Sequence, residues 1–253
     1  MSEAYSRIAI VTGSTSGFGE AVVKTFISAG FGVVGTGRNK DKLAKMEQDL
    51  GHAFCGLAGD ASDDAVLDGL FTAAVNRFKR PADVVVANAG RGLGGSVKDA
   101  DLDQFQDMLD VNVTGTLMLL QKAARQMVKK QSDDFPDRAA DIVIIGSVVG
   151  RNISPFSAVY GASKSAVHSL AEGLRREVSP LGVRVSLVEP GLALSGFQAA
   201  AGYDKKMVTT MVDKYGPVLA VTDIAAAVYY IVSRPPHVHV CDMVVRPTRM
   251  DYP

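Results

Sequence analysis

The chain has 253 residues, with 27 basic side chains against 27 acidic ones and two cysteines. That length suits one large α/β domain with a sizeable core, and the zero formal charge argues against nucleic-acid or membrane-surface partners. Cys55 and Cys241 cannot make a disulfide framework and read as small buried hydrophobes; no apolar run approaches the ~20 residues of a membrane span, and a first strand at Ile8 leaves no room for a signal peptide, so a soluble cytoplasmic protein is expected.

Ile8 to Val11 reads as a buried strand. It runs into the turn Thr12-Gly13-Ser14-Thr15-Ser16-Gly17-Phe18-Gly19, and Glu20 to Ala29 then shows helical spacing, with Ala21, Val22, Thr25 and Phe26 on one side. Phe31–Thr36 is a second strand, Lys40–Leu50 a charged helix, His52–Leu57 a third strand and Asp63–Phe78 a helix. Asp83–Ala87 is a fourth strand, followed by a long helical stretch from about Asp103 to Lys130. The polar insert Gln131–Arg138 reads as a solvated loop, Asp141–Ile145 as a fifth strand, and Tyr160–Val178 as a helix. Val183–Val188, Ile224–Ser233 and Met243–Val245 complete the pattern as strand, helix and short strand. Repeated β-α units with continuous apolar strands predict a single-domain, doubly wound parallel sheet of the Rossmann kind, with ligands outside the C-terminal strand ends.

The glycine turn sits where a strand meets a helix N-terminus, the corner that cradles a pyrophosphate; an ordinary βα turn is the competing reading. Its spacing is Gly-x-x-x-Gly-x-Gly. The second strand ends Thr36-Gly37-Arg38, with no Asp or Glu between Glu20 and Asp41. A missing acid removes the usual partner of an NAD ribose 2′-OH, and Arg38 supplies a planar cation for a 2′-phosphate, so NADP is the expected cofactor. Tyr160 and Lys164 lie four apart on a predicted helix and share a face. A lysine ammonium there would lower the tyrosine pKa and fit it for proton exchange. Ser147 ends the fifth strand. His237-Val-His239 could place two ligands on one strand face, but no third stands out, so no metal is expected. Met207 and Met211 have helical spacing and read as apolar lining.

Taken in order, Thr12-Gly13-x-x-x-Gly17-x-Gly19, Asn88-Ala89-Gly90, Asn112, Ser147, Tyr160-x-x-x-Lys164 and Pro190-Gly191 resemble the classical branch of the short-chain dehydrogenase/reductase family over essentially the whole chain. The resemblance implies an NADP(H)-dependent oxidoreductase that interconverts a carbonyl and an alcohol. Tyr160 would be the general acid/base, Lys164 would bind the nicotinamide ribose, Ser147 would hold the substrate oxygen, and Asn112 would hold a water linking Lys164 to solvent. Cofactor contacts would come from Gly13 through Gly19 (Ser14, Thr15, Ser16 and Phe18 included), Arg38, Asp60 and Ala61 at the adenine end, Asn88, Ala89 and Gly90, Pro190, Gly191 and Leu192, and Ser195. Ala87 departs from the family's first Asn in Asn-Asn-Ala-Gly, and Ser195 stands where Thr is frequent.

Gly17-Phe-Gly-Glu20, Thr36-Gly-Arg38 and Glu189-Pro-Gly-Leu192 look like 3-hydroxy acid dehydrogenases. Ala87–Ser96 and Val240–Pro247 look like ribitol-type polyol dehydrogenases and clavaldehyde-type reductases. The implied substrate is thus a small hydroxy acid, semialdehyde or polyol, and the implied assembly a homo-oligomer, a tetramer first. The alternative is a non-catalytic NADP-sensing regulatory protein, against which the complete Asn112, Ser147, Tyr160 and Lys164 set argues. Leu194 to Gly216, with Phe197, Tyr203, Met207, Met211 and Tyr215 among glycines and charges, reads as a substrate lid.

Overall fold

Side chains alternate across a strand, so a run with no polar alternation fits only where both faces are covered. The strand β1 (Ile8–Thr12) shows this directly: Ile8 and Ile10 enter one core, Ala9 and Val11 the other, and all five residues are buried. The structure is a computed structural model that describes residues 5–155 and 157–251. In chain order come α1 (Gly17–Ser28), β2 (Gly32–Gly37), α2 (Lys40–Leu50), β3 (Phe54–Ala58), α3 (Asp64–Phe78), β4 (Val84–Ala87), α4 (Leu102–Leu109) and α5 (Thr116–Asp134). They are followed by β5 (Ala140–Ile145), α6 (Ala158–Val178), β6 (Val183–Pro190), α7 (Phe197–Ala200), α8 (Lys205–Tyr215), α9 (Val221–Val232) and β7 (Asp242–Val245).

The seven strands form one parallel sheet in the order β3-β2-β1-β4-β5-β6-β7. The α3, α5 and α6 helices cover one face through Leu67, Leu70, Leu119, Ala123 and Val167. The α1, α2 and α9 helices cover the other through Val22, Phe26, Leu43, Ile224 and Val228. Successive strands run outward from β1 to β3, then from β4 to β7 on the other side. The direction reverses between β1 and β4, and that is where a ligand crevice opens. Charges enter the sheet only in pairs. Asp141 on β5 accepts from Arg184 on β6 at 2.7 and 2.9 Å and from Arg7 at 2.6 Å, all three tied beneath the N-terminal edge.

Most expected elements appear with boundaries shifted by one to three residues, but two expectations are corrected. The expected helix from Asp103 to Lys130 is interrupted by a wider, π-helical turn over Asp110–Gly115. Gly115 there lies so close to Ala61 that an added Cβ would come 2.5 Å from its carbonyl oxygen, and the Asn112 side chain is drawn inward. Such turns inside helices recur at functional sites. The insert Gln131–Arg138 is not all loop: α5 continues to Asp134, and Gln131 is buried with its amide donating to the Arg138 carbonyl. Capping a helix end with its own return loop lets the insert pack rather than float.

Candidate active site

The glycine turn, Asn88-Ala89-Gly90, Ser147 and Pro190-Gly191 stand at or just past C-terminal strand ends, while Asn112, Tyr160 and Lys164 stand on helical segments. After β1 the chain turns with Gly13 at φ 66° and Gly17 at φ 54°, conformations that L side chains rarely adopt. A Cβ on Gly19 would collide with the Gly13 carbonyl oxygen, so the turn packs on itself. Ser16, at the N-cap of α1, makes no side-chain cap, which leaves the first N–H groups of the helix for another acceptor. Glycines without room for a Cβ and uncapped helix donors fit a dinucleotide pyrophosphate.

Two residues of this corner serve the scaffold. Ser14 is fully buried, and both its N–H (2.8 Å) and its hydroxyl (3.1 Å) donate to the Thr36 carbonyl. These bonds pin the turn to β2 at Ser14, a residue expected among the cofactor contacts. Asn88 donates through Nδ2 to the carbonyls of Thr12 (2.8 Å) and Gly13 (3.2 Å), while the Thr12 hydroxyl accepts the N–H groups of Asn88 and Ala89. These bonds clamp β4 to the turn despite Ala87, and Asn88 still borders the crevice. Thr15 lies against Gly37, where an added Cβ would come 2.7 Å from its hydroxyl. Arg38 is exposed just past β2 and makes no hydrogen bond to another described residue. It lies near enough to Asp60 to favour that carboxylate. Asp60 also accepts the Ser62 N–H (2.9 Å) and hydroxyl (2.7 Å); burial opposes these bonds and Arg38, which together hold the carboxyl below its ordinary value. Arg38, Asp60 and Ala61 sit along the ends of β2 and β3, outside the deep cleft.

That cleft, about 660 Å³, opens over β4, β5 and β6. Phe18, Asn88, Gly90, Ser147, Tyr160, Lys164, Pro190, Gly191, Leu192 and Ser195 all border it, so the sequence motifs that flank a nicotinamide in the resemblance do converge. The α6 helix carries Tyr160 and Lys164, one turn apart and both buried. Lys164 Nζ lies 5.9 Å from the Tyr160 ring centroid and donates to the Ile145 carbonyl at 2.8 Å. Burial pushes Lys164 down to about 8. Burial also pushes the Tyr160 phenol up, with a hydrogen bond from Ser147 opposing it only in part. Without ligand the net direction is therefore upward, against the expected lowering by lysine, because burial of the phenol dominates.

Asn112 is a two-sided staple: Oδ1 accepts the Arg91 N–H (2.9 Å), and Nδ2 donates to the Arg91 carbonyl (2.9 Å) and the Ser163 hydroxyl (3.0 Å). Ser163 donates in turn to the Tyr160 carbonyl. The π-helical turn therefore ties the β4 loop to the helix that carries the tyrosine. Ser195 lies over the glycine turn, where a Cβ on Gly17 would meet its Cβ at 3.7 Å. The segment from Leu194 to Gly216 folds as α7 and α8, and Phe197, Tyr203, Met207 and Met211 face the cleft; α8 buries no residue of its own.

Sequence reasoning missed three contributors. Ser147 receives support from behind: its N–H donates to His168 Nε2 at 3.3 Å, and His168 Nδ1 lies 3.8 Å from the buried Glu189, which Arg151 clamps at 2.6 to 2.7 Å. Burial holds His168 below its ordinary value, as suits a neutral acceptor. Gln198 is buried beneath the lid, and its amide reaches the Ala193 carbonyl (2.6 Å) and the Ser195 N–H (3.2 Å). Met250 borders the cleft from the C-terminal segment and accepts the Leu192 N–H at 3.3 Å. Only the one-turn spacing of His168 from Lys164 was a signal in the chain. Among the described residues no group of three His, Cys, Asp or Glu could hold a metal, and His239 Nε2 lies 2.8 Å from the Val185 carbonyl. Cys55 and Cys241 are half-buried free thiols rather than fully buried ones. Among the described residues no helix is long and apolar enough to cross a membrane.

A glycine corner, a doubly wound sheet and a Tyr–Lys–Ser cluster in one crevice define an oxidoreductase that uses a nicotinamide cofactor. The family model for short chain dehydrogenase matches residues 7–206, and the chain belongs to that short-chain dehydrogenase/reductase family. An uncharacterized oxidoreductase of Staphylococcus epidermidis is 30% identical over 247 residues, covering 98% of this chain and all of that protein. Among solved structures, the closed form of serine dehydrogenase complexed with NADP+ superposes with a TM-score of 0.85 at 28% identity, covering 97% and 96% of the two chains. The 3-ketoacyl-(acyl-carrier-protein) reductase from Brucella melitensis complexed with NADH gives 0.86 at 25% identity, covering 97% and 98%.

Proposed function

We propose that the protein interconverts an aldehyde or ketone with the corresponding alcohol, using NADP(H), with Tyr160 as general acid/base. One observation carries this reading: Ser147 and Tyr160 border one cleft together with Lys164, which lies one turn from Tyr160 on the same helix with its Nζ 5.9 Å from the phenol ring. When bound, the nicotinamide supplies or accepts the hydride at the carbon that becomes or was the carbonyl. Tyr160, kept protonated by burial, is set to donate its proton to the substrate oxygen in reduction. Ser147, fixed from behind by His168, orients that oxygen. Lys164, held on the Ile145 carbonyl, keeps a cation one turn from the phenol, where it stabilises the phenolate left after donation. Asn112 fixes the distance between the β4 loop and α6.

The preference for NADP(H) is supported by the absence of an acid after β2 and by exposed Arg38, whose guanidinium suits a 2′-phosphate. The lid role of residues 194–216 is supported by their position over the cleft and by the lack of buried anchors on α8. A homo-oligomer, tetramer first, is supported by β7, an edge strand with Val244 exposed; light scattering that found only monomer would refute it. The catalytic reading is tested by following NADPH oxidation with a panel of aldehydes and ketones. Wild-type turnover should fall by roughly 10²–10⁴-fold in Tyr160→Phe. A wild-type rate from that variant would overturn the assignment.

A further inference from the structure

We infer that the substrate is an uncharged carbonyl compound with an apolar body, aromatic or aliphatic, rather than the small hydroxy acid, semialdehyde or polyol implied by sequence likeness. The inference rests on the carbonyl–alcohol reading above and narrows its substrate. It comes from what the polar groups of the cleft are already doing. Gln198 is satisfied at both ends of its amide, and Asn88 is spent on the glycine turn. Lys164 is bonded to the Ile145 carbonyl. Val148, Val149, Phe197, Met207 and Met211 line the same cleft as Tyr160 and Ser147. The Phe197 ring packs 5.4 Å from that of Tyr160.

Cations of the cleft are no better placed for a carboxylate. Arg91 is engaged by Asp107 at 3.6 Å and Gln104 at 3.4 Å. Lys214 is exposed and bonds Tyr215 at 3.0 Å, with Asp251 at 3.8 Å. Lys206 is exposed on α8, where water screens it. A carboxylate beside the reacting carbon would lose its hydration against apolar walls, and the buried cation of the cleft, Lys164, is already engaged on the Ile145 carbonyl. The hydroxyls of a polyol would lose water in the same way. An apolar body gains by the same burial. The methionine side chains of Met207 and Met211 adapt to shape, so selectivity within the class should be broad.

Three measurements test this. The first compares kcat/KM with NADPH for propiophenone and 2-octanone against succinic semialdehyde, acetoacetate and D-ribulose. The apolar ketones should lead by about a hundredfold, the order of discrimination an apolar pocket reaches. A lead for any charged or polyhydroxylated carbonyl would overturn the inference while leaving the proposed reaction intact. The second is calorimetry of the NADP+-loaded protein with 1-phenylpropanol and with 3-hydroxybutyrate, which reports binding whether or not turnover occurs. Tighter binding of 1-phenylpropanol with a negative heat-capacity change supports the inference; equal or tighter binding of 3-hydroxybutyrate overturns it. Binding of 1-phenylpropanol without turnover of any carbonyl would remove the proposed reaction and leave the apolar ligand standing. Met207→Glu should lower kcat/KM for propiophenone at least about tenfold with NADPH affinity unchanged; an unchanged kcat/KM overturns the role given to the α8 wall.

Discussion

Lys164→Met should make the protein without ligand more stable at neutral pH while abolishing its activity. The lysine is nearly inaccessible, and burial holds it at about 8 against an ordinary 10.5. At ~1.36 kcal/mol per pH unit, carrying that ammonium inside the folded protein costs about 3 kcal/mol at pH 7. Methionine has a similar shape and no charge, but it abandons the Ile145 carbonyl, a loss of about 1–1.5 kcal/mol. The net gain is then about 2 kcal/mol, or roughly 4–8 °C in Tm for a domain of this size. Between about pH 8 and 10.5 the unfolded wild-type chain binds more protons at this lysine than the folded one, so wild-type stability rises with pH relative to the variant. The advantage of Lys164→Met is therefore full below pH 8, shrinks above it, vanishes near about pH 9.5 and is reversed by 10.5, where the wild type carries no charge penalty and keeps its bond to the Ile145 carbonyl. Urea or thermal unfolding of both proteins at pH 7, 9 and 10.5 measures this. A variant less stable than wild type at pH 7, or an advantage that does not shrink with alkali, would refute the reasoning.

Arg38→Ala should weaken NADPH binding by about ten- to a hundredfold and leave NADH binding unchanged in fluorescence titration, because only the 2′-phosphate needs the guanidinium. Asp141→Ala leaves buried Arg184 without its carboxylate partner and Arg7 with Asp83 alone, and should cost about 3–5 kcal/mol in urea unfolding; a loss near zero would show that the cluster is not coupled to the fold. Hydrogen exchange over residues 194–216 should be fast without ligand and slow when NADP+ and an alcohol are both bound. Equally slow exchange in both states would make the segment a fixed wall.

The sequence by itself determined the sheet, its order of helices and the identity of the cluster that meets in the cleft. Those signals are local: apolar runs that need two covered faces, glycines that permit a turn, a four-residue spacing that puts Tyr160 and Lys164 on one side of a helix. It did not show the break at Asp110–Gly115, since helical periodicity on either side conceals a turn made by contacts with Ala61 and Ser163 far along the chain. Only the tertiary structure decided what each polar group is free to do. Ser14 ties the glycine turn to Thr36, a role its motif position did not announce; Gln198 and Met250 looked unremarkable and shape the cleft. The direction of the Tyr160 shift was likewise beyond the sequence. A spacing tells which groups are neighbours, but a pKa depends on how far water is excluded and on which carbonyl the ammonium has already taken, and both are set by residues that meet only when the sheet and its helices close around them.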